Sequence, residues 1–160
     1  MYSLRKWSTR HARAMDLTYR VTANLFHVFD PLWKRMIASR LEKPFTACES
    51  WAKGVLFDCQ MCGQCVLSVT GMTCPTNCPK SLRNGPCGGV RANGHCEVKP
   101  ELRCVWVEAW SGARSMKKTA LFQIPLPARE YDLEGRSAWL GLAAANIAGR
   151  DADNTNDVPS

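Results

Sequence analysis

Apolar residues at Leu4, Trp7, Met15, Val21, Leu25, Phe26, Phe29, Trp33, Met36, Ile37 and Leu41 recur at spacings of mostly three or four. That is the period of helices with one face turned to a core. Asp30-Pro31 supplies an N-cap followed by a first-turn proline, and Pro44 is expected to end or restart the helix that follows. The pattern predicts two or three helices, the first about 25 residues long. It breaks down at the first of a run of cysteines. Between Cys59 and Cys104 only ten non-cysteine residues are apolar, against six glycines and four prolines. A segment so poor in core residues cannot offset its chain entropy by burial and needs covalent or metal staples. Within it, Val90 to Val98 turns at Asn93-Gly94, which predicts a β-hairpin. Beyond Cys104 comes Val105-Trp106-Val107-Glu108-Ala109-Trp110, then a polar tail in which Pro125 and Pro127 favour extended chain. Ser137 to Ala145 is patterned as a short amphipathic helix.

These contrasts divide the chain into a basic helical region (1–53), a cysteine-rich metal-binding module (54–110), an extended partner-docking tail with a short helix (111–150) and a disordered end (151–160). The expected fold class is α plus a small irregular metal-stapled module. It consists of an N-terminal helical hairpin, a cysteine-rich core of iron-sulfur or zinc type with a β-hairpin, and an extended C-terminal tail. Trp7, Phe29, Trp33, Trp106, Trp110, Trp139 and Leu140 are more apolar anchors than so small a core easily buries, which points to an interface with another subunit.

Composition narrows the function. At 160 residues, 46% hydrophobic and 22% charged, the chain lies in the ordinary globular range. It is too short for a (β/α)₈ barrel of about 250 residues. The longest nearly apolar stretch, Trp139 to Ala148, is interrupted by Gly141 and Asn146, so no membrane span is expected. The basic first 20 residues have the composition of a transit peptide, but no apolar signal-peptide region follows them. The expected location is cytoplasmic, with reduced cysteines. Lysines and arginines outnumber acids by seven in the whole chain and by six within residues 1–53. That surplus reads as a solvated face, as a docking surface for an acidic partner or as an anionic-ligand site.

The chemistry lies in the cysteines, spaced Cys59-x₂-Cys62-x₂-Cys65-x₈-Cys74-x₃-Cys78-x₈-Cys87-x₈-Cys96-x₇-Cys104. The triple C-x₂-C-x₂-C matches the loop by which bacterial ferredoxins wrap three corners of a cubane cluster, with a distal fourth cysteine followed by proline. Both Cys74-Pro75 and Cys78-Pro79 carry that proline. Tetrahedral zinc uses paired knuckles, which Cys74-x₃-Cys78 fits and the triple does not. All eight are candidate metal ligands in two sets of four. The set holding Cys59, Cys62 and Cys65 is expected to bind a [4Fe-4S] cluster, and the other is open to a second cluster or to zinc. Cys48 stands apart and is expected to be a buried small apolar residue. His11, His27 and His95 are expected to be structural or solvated, and no Gly-x-Gly-x-x-Gly or Walker sequence occurs. No catalytic residues are assigned, and the chain alone is expected to be non-catalytic.

Residues 59–67, Thr70 to Pro75, Asn77 to Lys80, Leu82 to Gly89, Asn93 to Val98 and Cys104 to Trp106 resemble the cysteine-rich C-terminal domain family of methylenetetrahydrofolate reductases. The resemblance implies association with a folate barrel whose flavin does the redox chemistry, this chain being the small metal-binding accessory subunit. That subunit would stabilise the flavin protein, pass electrons to or from its flavin, or both. A purely structural metal scaffold is the alternative. A zinc-binding nucleic-acid protein is a remote third, since no recognition helix or periodic knuckle spacing accompanies the cysteines, and neither nucleic acid nor membrane is an expected partner.

Overall fold

A computed structural model describes residues 2–28 and 41–145. Two helices open it, α1 (Tyr2–Arg10) and α2 (Ala12–Val28). The expected long first helix is thus interrupted at His11, where the backbone N–H and the ring Nδ1 both meet the Trp7 carbonyl at 3.0 Å. The helix anticipated from Asp30 lies mostly outside the described residues. Helix α3 (Glu42–Phe57) follows, carrying Pro44 in its first turn where a missing N–H costs nothing. After the cysteine-rich loops come α4 (Val105–Ser115) and the single turn α5 (Thr119–Phe122), and residues 138–145 form a last helical segment, α6.

Helix α1 packs on both α3 and α4. Polar groups tie this junction: Ser8 Oγ donates to the Leu56 carbonyl at 2.9 Å, and the buried Arg5 lies 3.7 Å from Glu108 and 3.9 Å from Asp58. Lys118 Nζ donates to Asp16 Oδ1 at 2.7 Å, fixing α2 to the turn after α4. One apolar cluster joins Ala12, Phe57, Leu67, Met72 and Cys74, and a second joins Cys104, Trp106 and Ala109. Each is small and each contains cysteine. No helix among the described residues is long and apolar enough to cross a membrane.

The β-hairpin is not formed, and no strand occurs among the described residues. The turn itself is present, with Gly94 N–H on the Arg91 carbonyl at 2.7 Å and Arg91 N–H on that of His95 at 2.9 Å. Pairing then stops at isolated bridges, Val90 with Cys96 and His95 with Arg103. The arms are cut short by Gly88-Gly89 on one side and Pro100 on the other, residues that weaken a ladder or cannot donate to it. Cys96 N–H turns instead to the Leu102 carbonyl at 2.9 Å. The fold class is therefore helical, with irregular cysteine loops and no sheet.

Burial departs from expectation at three residues. Cys48 is exposed, because α3 buries the face of Glu49, Lys53 and Phe57 and leaves Cys48 and Trp51 outside. Trp106 and Leu140, expected as exposed anchors, are buried within the chain. Trp7 and Trp110 are exposed, while Phe29 and Trp33 lie outside the described residues.

Candidate metal centres

The backbone leaves α3 through Asp58 in the left-handed region (φ 54°, ψ 47°), with its N–H on the Gly54 carbonyl at 3.0 Å. That reversal delivers Cys59, Cys62 and Cys65 on one loop. Met61 (φ 47°) and Gly63 (φ 74°) keep the loop curled. Met61 N–H donates to Cys59 Sγ at 3.4 Å. Gly63 is required by contact as well as by dihedral: a Cβ there would stand 2.3 Å from the Leu133 carbonyl oxygen.

Cys59, Cys62, Cys65 and Cys74 line one cavity together. Cys78, Cys87, Cys96 and Cys104 line another. The division follows chain order, and the 3₁₀ turn Pro75–Asn77 separates Cys74 from Cys78, whose N–H bonds the Pro75 carbonyl at 3.0 Å. Of the two proline-followed candidates for the fourth position beside the triple, Cys74 lies with the triple and Cys78 does not. All eight are free thiols. Among the described residues no three Cys, His, Asp or Glu side chains are disposed to hold a metal ion. The sulfurs share cavity walls and do not meet at one point.

The first cavity has a cationic and partly buried surround. Lys53, Arg83 and Arg136 line it, with Glu49 as the one carboxylate. Lys53 is buried, donates to Glu49 Oε1 on the preceding turn, and lies 4.5 Å from the centre of the Trp139 ring. Ser137 Oγ donates to the other Glu49 oxygen and accepts the Leu140 N–H at 3.0 Å, capping α6 against α3. Residues 133–139 thereby form a strap across the cysteine loop, with Gly135 N–H on the Met61 carbonyl at 2.8 Å.

Burial pushes the Cys74 thiol up to about 11, opposed by its 2.8 Å contact with Thr76 Oγ1. Burial also raises Cys59, while the Met61 N–H and the Lys53 charge pull it back. Tyr19 of α2 reaches the same site. It packs with Cys65 against the same apolar cluster, and burial first, then the neighbouring Cys65, push its phenol above the usual range. Tyr19, Lys53, Arg83 and Arg136 were not legible as site residues, because only the fold brings them to the cysteines.

The second cavity is assembled from separate segments. Cys104 is the N-cap residue of α4, and Trp106 Nε1 donates to the Leu82 carbonyl at 3.2 Å above it. Lys80 donates to Glu97 Oε1, linking the segments that carry Cys78 and Cys96. That bond raises the lysine's pKa. His95 Nδ1 lies 2.7 Å from the Pro100 carbonyl oxygen, a structural contact outside the cysteine set.

The donor chemistry of both cavities fits a thiolate-bound group. Each offers four soft sulfurs, the set used by iron-sulfur clusters and structural zinc; the second has no carboxylate or imidazole in its lining, and the one carboxylate of the first, Glu49, is taken up by Lys53 and Ser137. The cations around the first would offset the negative charge of a four-thiolate centre.

No curated protein and no solved structure matches the chain significantly. A family model described as methylene-tetrahydrofolate reductase C terminal matches residues 38–132, which takes in α3, the eight cysteines of the two cavities, α4 and α5. The match covers well over half of the sequence, and the chain accordingly belongs to the methylene-tetrahydrofolate reductase C-terminal domain family.

Proposed function

We propose that this chain is a non-catalytic accessory subunit of a methylenetetrahydrofolate reductase, holding metal at two four-cysteine sites and docking on a flavin-containing barrel subunit. The observation that carries the reading is the grouping of the eight cysteines into two cavities of four, within the segment that matches the family. Cys59, Cys62, Cys65 and Cys74 would hold a [4Fe-4S] cluster, since three closely spaced thiolates gain separate partners only on a multi-iron core. Cys78, Cys87, Cys96 and Cys104 would hold a second cluster or a zinc ion. Ligation would bring the four sulfurs of each cavity onto one centre, and deprotonation of the buried Cys74 is coupled to it. A bound cluster supplies one-electron transfer. The chain's own residues supply the rest: Lys53, Arg83 and Arg136 balance charge, and the strap across the loop excludes water.

Protein purified anaerobically and analysed for iron, acid-labile sulfide and zinc, with an electronic spectrum, tests this directly. Iron and sulfide in equal amounts with a broad visible absorption are expected. Cys62→Ser should remove the group of the first site and Cys78→Ser that of the second. Stoichiometric zinc without iron or sulfide would eliminate electron transfer and leave a metal-stapled scaffold for the flavin subunit. That structural reading draws on the smallness of the apolar clusters, in both of which cysteine takes part.

A further inference from the structure

A groove of about 450 Å³ runs beside the first cysteine site, within the volume range of small-molecule sites. One wall is the loop carrying Arg83 and Asn84, and the other is the chain segment carrying Leu126, Pro127, Arg129 and Tyr131. The walls are tied together: Arg83 Nε donates to the Pro127 carbonyl at 2.8 Å, and Leu126 N–H to Asn84 Oδ1 at 2.7 Å. Two guanidinium groups line the groove and no carboxylate does. Arg129 is held in place at both ends, its Nη2 3.1 Å from Glu134 and its guanidinium carbon 5.1 Å from the Tyr131 ring centre. Its Nε is buried and has no hydrogen-bond partner. The guanidinium thus has one carboxylate partner and one donor still without an acceptor, and two guanidinium groups with no carboxylate in the lining of a cavity of this size favour an anionic ligand. Tyr131, 72% exposed, offers a flat apolar face at the mouth, and Leu82, Leu126 and Pro127 offer further apolar wall.

We propose that this groove binds a small molecule combining a carboxylate or phosphate group with a flat apolar body, the anionic group on Arg129 and the body against Tyr131. Pro75, Thr76 and Arg83 border both the groove and the first cysteine cavity, so the ligand would lie one residue from Cys74. The proposal stands whether or not that cavity holds metal.

Isothermal titration of the full chain with 2-naphthoate and with 2-naphthyl phosphate tests it, and comparison of the two separates carboxylate from phosphate as the preferred group. Saturable binding of at least one is expected, about tenfold or more tighter than that of uncharged 2-naphthol or of inorganic phosphate alone. Arg129→Gln should weaken it by about tenfold. Tyr131→Ala, at an exposed position, should weaken it several-fold without changing the far-ultraviolet circular dichroism. In the unaltered chain the Arg129 Nε–H resonance should shift on saturation. Failure of both probes to bind saturably would overturn the proposal, as would an unmoved Arg129 resonance or affinity independent of Tyr131.

Discussion

Glu49 and Lys53 form a buried ion pair beside the first cysteine site. Both are almost fully buried one helical turn apart, and each has a second partner: Ser137 for the carboxylate and the Trp139 ring for the ammonium. An amphipathic reading of α3 would put such residues in solvent, yet they share the buried face with Phe57. A buried pair of this kind contributes little over an apolar equivalent, but losing one member strands the other without compensation. Lys53→Met should therefore destabilise the chain by about 3 kcal/mol or more, measured by denaturant unfolding of metal-loaded protein. The double variant Glu49→Leu with Lys53→Met should recover most of that loss. Recovery separates the role in folding from any role toward the thiols: if the double variant is stable but holds metal less tightly in competition with a chelator, the ammonium also acts on the cysteine site.

At the scale of elements, the decisive contact is the strap of residues 133–139 across the cysteine loop. Its close approach at Gly63 leaves no room for a side chain. Gly63→Ala should force the strap off the loop, since the added Cβ meets backbone that cannot rotate aside. The check is limited proteolysis, with new cleavage expected between residues 128 and 137 and faster loss of metal to a chelator. Unchanged proteolysis would mean that the strap can shift without leaving its seat. Much of this architecture was readable in advance and some was not. The three-or-four periodicity of the N-terminal region is a local signal and does mark helices, and the cysteine spacing is local too, though which cysteines share a cavity is decided by the fold. The Asn93-Gly94 turn was also local and does form, but a ladder needs several consecutive pairing residues on both arms, and the flanking Gly88-Gly89 and Pro100 cut the arms short. Helix α4 was missed although Val105, Trp106, Ala109 and Ala113 are spaced for one buried face. Gly112 in its middle argues against a helix by propensity. It is tolerated because a Cβ there would stand 2.0 Å from the Gly71 carbonyl oxygen, so the site selects for glycine through packing.

For the whole molecule, the unresolved demand is apolar surface. Helix α2 is apolar on two opposite sides: Ala12, Met15 and Tyr19 face the chain's own core, while Leu17, Val21, Leu25 and Val28 recur on the far side at 58%, 50%, 49% and 71% exposure. A helix with two apolar faces is normally covered on both. Arg13 and Arg20 lie beside this stripe on a chain with a net charge of +7, which disfavours a second copy of itself and favours an acidic partner. This face also lies outside the segment that matches the family, so it can serve docking without touching the cysteines. Truncation of the C-terminal residues would be a poor test of docking here, because the strap belongs to the first cysteine site. Substitution on α2 is cleaner. In the proposed complex with the flavin subunit, Val21→Asp with Leu25→Asp should lower affinity by about a hundredfold or more, from the loss of two buried apolar contacts. Metal content and unfolding midpoint should stay near those of the unaltered chain, since both positions are already exposed. Co-purification and surface plasmon resonance with the partner would read the loss. Full affinity in this variant would move the interface elsewhere, to the surface around Trp7, Trp51 or Trp110, without disturbing the assignment of the cysteines.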